Sequence, residues 1–400
     1  MITLSSAKNL KYDLFKSVRS AVDRYPRLYL GVVTLCALLG YIFVLLFPLL
    51  MLISLANIYE VFRESEPFAW QSTLIWSSVL ILSGVIIYRC TLLKLSPPAG
   101  LTINEDKAPE LFNKLRELHI RFKRPEIRRI VITGNYELDI IKTPRWILPV
   151  WSTNTMVIGL PVMQSLSPKQ FDCMVARRIG QFSKRDNLLT NWLYQLRPIW
   201  QQCRAACNKQ KAPGIEPLKL FLAIYAPFYA SVSAHVARMD ELNADTYAMQ
   251  LYNDEEVLEM ITADSVCRWY IKNRYWPAVY KVAAFETKSP PRPHSKMAAA
   301  VRTNLKGEKL KSLLAGSMNI NSRWTDKTPS LVSRVKNIGH EKPYPLEPGG
   351  ETAAEHYLGA SINGAIDLVD KLWMKALLEK RKRQRYQKKK RVMSDQAASA

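Results

Sequence analysis

The chain has little histidine. There are five in 400 residues: His119, His235, His294, His340 and His356. No two are four residues apart, so no helix can offer one metal ion the imidazole pair of an HxxxH turn. Cysteine is also scarce. Cys36, Cys90, Cys173, Cys203, Cys207 and Cys267 make no CxxC knuckle, and the nearest pair, Cys203 and Cys207, is spaced i,i+4. That excludes a disulfide-stapled scaffold and fits buried thiols in a reducing compartment. Acidic residues are outnumbered, 34 against 57 Lys and Arg, for a net charge of +23. Such an excess calls for an anionic neighbour, either phospholipid headgroups or nucleic acid.

Acids are wholly absent from 380–391, KRKRQRYQKKKR. Its bases are Lys380, Arg381, Lys382, Arg383, Arg385, Lys388, Lys389, Lys390 and Arg391. On a chain held at a membrane this run reads as a binder of anionic lipid headgroups, at about 1 kcal/mol for each base near the surface. Nucleic acid is the alternative partner.

Charge of either sign is missing from 28–56 and from 67–88. About 20 apolar residues cross a bilayer, so each stretch is long enough. The first has no small-residue cleavage site, which argues against a removable signal peptide. Lys and Arg flank the pair on the outside, and Glu60, Glu64 and Glu66 lie between the two stretches. The positive-inside rule then places both termini in the cytoplasm and the loop 57–70 on the far side. A third stretch, 220–237, has no charge apart from a possible one on His235; it reads as a kinked buried or membrane-surface helix.

Beyond the anchor, helical spacing of Leu111, Leu115, Leu118 and Phe122 marks a helix over 108–122. Strands are expected at 129–133, 138–142 and 153–160. At 167–187, SPKQFDCMVARRIGQFSKRDN, Ser167 is an N-cap, Pro168 suits the first turn, and Gln170 completes a capping box. Phe171, Met174, Val175, Ile179 and Phe182 give that helix one apolar face. Further helices are expected over 188–207, 254–270, 274–285, 325–338 and 353–378. The division is a basic N-terminus 1–27, a two-helix anchor 28–95, a domain 96–345, a helical segment 346–379 and a disordered basic tail 380–400. The fold class is α+β, mainly helical with a small sheet.

The register of 176–186, ARRIGQFSKRD, resembles the AHExGHxxxRD helix of HtpX-like membrane zinc metallopeptidases, family 48 of the metallopeptidases and relatives of the CAAX prenyl proteases. The shared flanks are Ala176, Gly180, Arg185 and Asp186. Two membrane segments come before the helix, and a strand and turn lead into it. Glu241 to Asp245, ELNAD, is similar to the family's ExxxD helix, and KTPSL at 327–331 to its THPSL. The resemblance implies a zincin-like, gluzincin-type domain in a bacterial inner membrane. It also implies that Arg177 and Gln181 stand at the histidine positions, Arg178 at the general base, Glu241 at the third ligand and Asp245 behind it.

A zinc site needs lone pairs and a base. Neither arginine supplies either at accessible pH, and Gln181 offers only an amide oxygen. The expectation is therefore a degenerate, non-catalytic member with no cofactor and its ancestral zinc lost. Arg177 or Arg178 should pair with a buried Glu241, and Asp245 with Arg185 or Arg238. The alternative is an active zinc metalloendopeptidase with atypical ligands. As in the family's edge strand, Thr153, Asn154, Thr155, Met156, Val157, Ile158, Gly159 and Leu160 would bind an unknown protein or peptide partner by strand addition.

Overall fold

The computed structural model describes residues 24–64, 70–93, 95, 99–122, 127, 129–144, 152–182, 188–210, 213–285, 291–319, 328–346 and 350–398. Expectations placed on 1–23, on 65–69, on the break at 96–98, and on Arg185, Asp186 and Lys327 fall outside these residues. In chain order the elements are α1 (Pro26–Glu64), α2 (Trp70–Thr91), β1 (Leu101–Ile103), α3 (Pro109–Arg121), β2 (Arg129–Thr133), β3 (Leu138–Pro144) and β4 (Ser152–Gly159). Then come α4 (Leu160–Ser165), α5 (Pro168–Phe182), α6 (Leu188–Lys209), α7 (Glu216–Val232), α8 (Ala234–Ala248) and α9 (Asp254–Tyr270). A π-helical turn, Ile271–Tyr275, leads to α10 (Trp276–Phe285), followed by α11 (Pro293–Asn304), α12 (Gly307–Met318), α13 (Leu331–Asn337), α14 (Ala353–Leu358) and α15 (Ile362–Ala398). The architecture is mainly helical with one small mixed sheet, as the α+β expectation has it.

Two helices, α1 and α2, are long and apolar enough to cross a membrane. Leu35, Leu39, Ile42, Leu49 and Leu52 of α1 are exposed, as side chains facing hydrocarbon would be. The loop expected from residue 57 is instead helix as far as Glu64, because NIYEVFRE carries neither Gly nor Pro to stop it. Helices α7 and α8 bend by 50° at Ser233. The first of them leans on α1: Phe43 stacks on Phe221 with ring centroids 3.8 Å apart, and the Tyr225 hydroxyl donates to the Cys36 carbonyl at 2.8 Å. Gly40 makes this approach possible, since a Cβ there would stand 2.4 Å from the Tyr225 hydroxyl. The outer face of α7 leaves Leu220, Ile224 and Phe228 exposed, one stripe at i,i+4,i+8.

The sheet order is β1-β2-β4-β3, with β2 and β4 parallel and the other pairs antiparallel. This corrects the edge-strand expectation. β4 pairs with β2 from Thr155 to Gly159 and with β3 from Ser152 to Ile158. Both of its backbone edges are used there, so no peptide can add to Thr155–Ile158, and Leu160 has already passed into α4. The core lies between this sheet and α3, α5 and α9. Ile130, Ile132, Met156 and Ile158 of the sheet share it with Leu115, Phe171, Val175 and Ile261.

The C-terminal helix expected over 353–378 is broken at Gly359, whose φ is +44°. Beyond the break the basic run is no disordered tail: α15 carries it as helix to Ala398. Lys, Arg, Gln and Leu are good helix formers, and no Gly or Pro follows Gly364.

Candidate functional site

The face of α5 that the apolar pattern leaves over is not solvated. Every residue from Cys173 to Phe182 is buried, Arg177, Arg178 and Gln181 included. A helix enclosed on all sides must satisfy its polar groups internally. Here α8 does that. The two helices cross at Gly180, where an added Cβ would come within 2.6 Å of the Tyr247 Cβ. This close crossing sets Glu241 and Asp245, one turn apart on α8, against Arg177 and Arg178.

Arg177 is held from both sides. Its Nη2 donates to Glu241 Oε2 and to the Glu241 carbonyl, each at 2.8 Å, and its Nε donates to Asp245 Oδ1 at 2.6 Å. The Arg178 Nη1 donates to Glu241 Oε1 at 2.8 Å and to Gln181 Oε1 at 2.5 Å. Tyr194 of α6 donates its hydroxyl to the same Glu241 oxygen at 2.8 Å. The Gln181 amide donates to Asp240 Oδ2 at 2.8 Å.

The network runs on through a residue that sequence reasoning missed. Arg334 of α13 clasps Asp245 with Nε at 3.0 Å and Nη2 at 2.7 Å, and reaches Asp264 of α9 with Nη1 at 3.0 Å. Asp264 in turn accepts from Arg268 at 3.1 Å. Asp245 is therefore held by Arg177 and Arg334, two partners the sequence reading did not give it. A signal for Arg334 was present: in LVSRVKNI it lies three residues after Leu331 and beside Val335, on the apolar stripe of its helix, where a lone guanidinium needs a buried partner.

At the centre of this stretch the three cations Arg177, Arg178 and Arg334 face the three carboxylates Glu241, Asp245 and Asp264, with Asp240, Asp139 and Arg268 at its edges. Burial by itself pushes the Arg178 guanidinium down, but Glu241 and Asp139 hold it well above its ordinary value. Burial would raise the Asp264 carboxyl, yet Arg268, Arg334 and Arg177 keep it below the usual aspartate value. The Tyr194 hydroxyl is pushed well up, by burial first and then by Asp139 and Glu241, and stays a neutral donor.

The zinc centre implied by the resemblance does not fit these residues. A guanidinium stands 2.8 Å from each oxygen of the Glu241 carboxylate, where a metal would need a free lone pair. Among the described residues no group of three or more His, Cys, Asp or Glu side chains is placed to hold a metal ion. The His235 ring stands edge-on to Tyr29. His294 lies elsewhere, buried between Asp370 and the Gly134 carbonyl.

No family model matches the chain, and no curated protein matches it. A solved structure that is similar is the crystal structure of S. mikatae Ste24p, with 14% identity and a TM-score of 0.30, over 82% of this chain and 75% of that one. A score of that size does not carry a fold assignment, and the architecture rests on the elements described above.

Proposed function

We propose that the chain is a membrane-anchored, non-catalytic relative of the HtpX-like metallopeptidases. It has the place of their active site without its chemistry. One observation carries this reading: the two residues at the first-histidine and general-base positions, Arg177 and Arg178, clamp the carboxylate at the third-ligand position, Glu241, from its two oxygens. Such a clamp locks α5 to α8 and leaves neither a Lewis acid nor a base for attack on a peptide bond.

The role that remains is that of a scaffold or regulator for peptide or membrane-protein partners. With β4 enclosed in the sheet, partner contact falls to other surfaces. The basic run of α15 would add contact with anionic lipid headgroups, because Lys380, Lys382 and Arg383 project into solvent. Both termini would be cytoplasmic.

Metal analysis of the purified full chain tests the reading. Zinc well below stoichiometry, unchanged in Glu241→Ala, is expected. Stoichiometric zinc that disappears on Glu241→Ala would overturn it in favour of a peptidase with atypical ligands.

A further inference from the structure

Behind the ion-pair network lies a cavity of about 1270 Å³, which nothing above uses. That exceeds the roughly 300–1,000 Å³ of pockets that hold drug-sized molecules. Its walls are chemically divided. Arg197, Arg268, Lys272 and Arg334 line it, against Asp264 as the one carboxylate among the lining residues. Asp264 is shared by Arg334 at 3.0 Å and Arg268 at 3.1 Å, so one carboxylate answers two of the lining's cations. The Arg268 side chain is 36% exposed and its guanidinium lies over the Tyr136 ring. Lys272 is exposed. The lining is also aromatic. Trp276 stacks on Trp373 with centroids 6.0 Å apart, and Tyr280 packs against both.

We propose that this cavity binds an anionic amphiphile, a phosphate- or carboxylate-headed lipid with a single apolar chain. Arg268 and Lys272 take the headgroup, and Trp276, Tyr280 and Trp373 take the chain. Charge complementarity selects an anion. The aromatic wall selects an apolar body over a free inorganic ion. The source is the bilayer: Arg197 belongs to α6, whose Trp192 and Trp200 pack on Tyr41 of the candidate span α1. The cavity shares Arg334 and Asp264 with the ion-pair network but is not lined by Arg177, Arg178 or Glu241, and its test does not depend on whether the chain is a peptidase.

The full chain is reconstituted in nanodiscs of zwitterionic phosphatidylcholine and titrated with ω-bromododecyl phosphate, whose bromine quenches nearby indoles. Saturable quenching is expected, and Trp276→Phe with Trp373→Phe should remove most of it, leaving the part that comes from Trp269. Lys272→Gln should raise half-saturation about tenfold, the loss of one charge-assisted contact. Lys272 is exposed, and among the described residues no hydrogen bond or ion pair of its side chain would be broken by this change. Arg268→Lys keeps the charge beside Asp264 but loses the fork and the contact with the Tyr136 ring, and should weaken binding together with a modest fall in the unfolding midpoint. Dodecanoate should compete, whereas inorganic phosphate and neutral dodecyl maltoside should not. Equal competition by the maltoside, equal competition by inorganic phosphate, or half-saturation unmoved by both variants would each overturn the proposal. Tighter binding of an apolar peptide with a free C-terminus than of the alkyl phosphate would overturn the lipid assignment.

Discussion

Replacing Arg177 by methionine keeps the length of the side chain and removes the cation that joins Glu241 to Asp245. Glu241, Asp245 and Asp264 would then be left with Arg178, Arg334 and the half-exposed Arg268. Two unit charges about 4 Å apart interact by about 4 kcal/mol at an effective dielectric constant near 20. Removing one partner of a buried pair typically costs about 3–5 kcal/mol. Glu241 would retain Arg178 and Tyr194, and Asp245 would retain Arg334, so the lower end of that range, about 3 kcal/mol, is expected. That is a large share of the roughly 5–15 kcal/mol that holds a domain together. Glu241→Gln makes the opposite error and leaves an excess cation. The pair of changes together restores neutrality, with two arginines facing two carboxylates. The double variant should therefore recover at least about 1.5 kcal/mol relative to the sum of the single losses, well beyond the roughly 0.5 kcal/mol scatter of independent sites. The assay is reversible urea unfolding of the detergent-solubilised chain, followed by fluorescence. Losses that add within that scatter would refute the view that the arginine clamp is one coupled unit.

Further outcomes follow from the same geometry. Asp264 is held below its ordinary value, so its share of stability is complete above about pH 4 and fades as pH falls through its lowered folded value. Unfolding midpoints between about pH 2 and 5 should show this slope, and Asp264→Asn should flatten it; a slope unchanged in that variant would sink the assignment. Gly180→Ala should push α5 off α8 and cost about 1–3 kcal/mol, measured as a lower unfolding midpoint. Gly40→Leu should strike the Tyr225 ring, and loss of a cross-link between cysteines placed on α1 and α7 would report the separation. Arg177→His, Arg178→Glu and Gln181→His made together rebuild a helical zinc turn opposite Glu241. This variant should take up more zinc than the unaltered chain, and metal analysis showing no gain would count against the proposed zinc-helix register of these residues.

The sequence alone determined the elements whose cause is local. Uncharged runs mark α1 and α2 because crossing hydrocarbon depends on length and composition. The Ser167 to Gln170 capping box is present, with the Ser167 hydroxyl accepting from the Gln170 amide and the Gln170 side chain accepting from the Ser167 amide. The sequence also showed that Arg177 and Arg178 bring no lone pair for a metal, since guanidinium has none to give. Only the tertiary structure decided what those arginines do. Long-range packing brings α5, α6, α8, α9 and α13 together, so Arg334 and Asp264, 70 residues apart, meet at 3.0 Å. It also decided that β4 is enclosed: the alternation of a strand is the same whether one neighbour or two hydrogen-bond to it, and the parallel pairing of β2 with β4 depends on where the chain returns. Burial around the whole of α5 was illegible for a related reason. A polar helix face points to water unless another helix supplies its partners, and those partners lie on α8, more than 60 residues further along the chain.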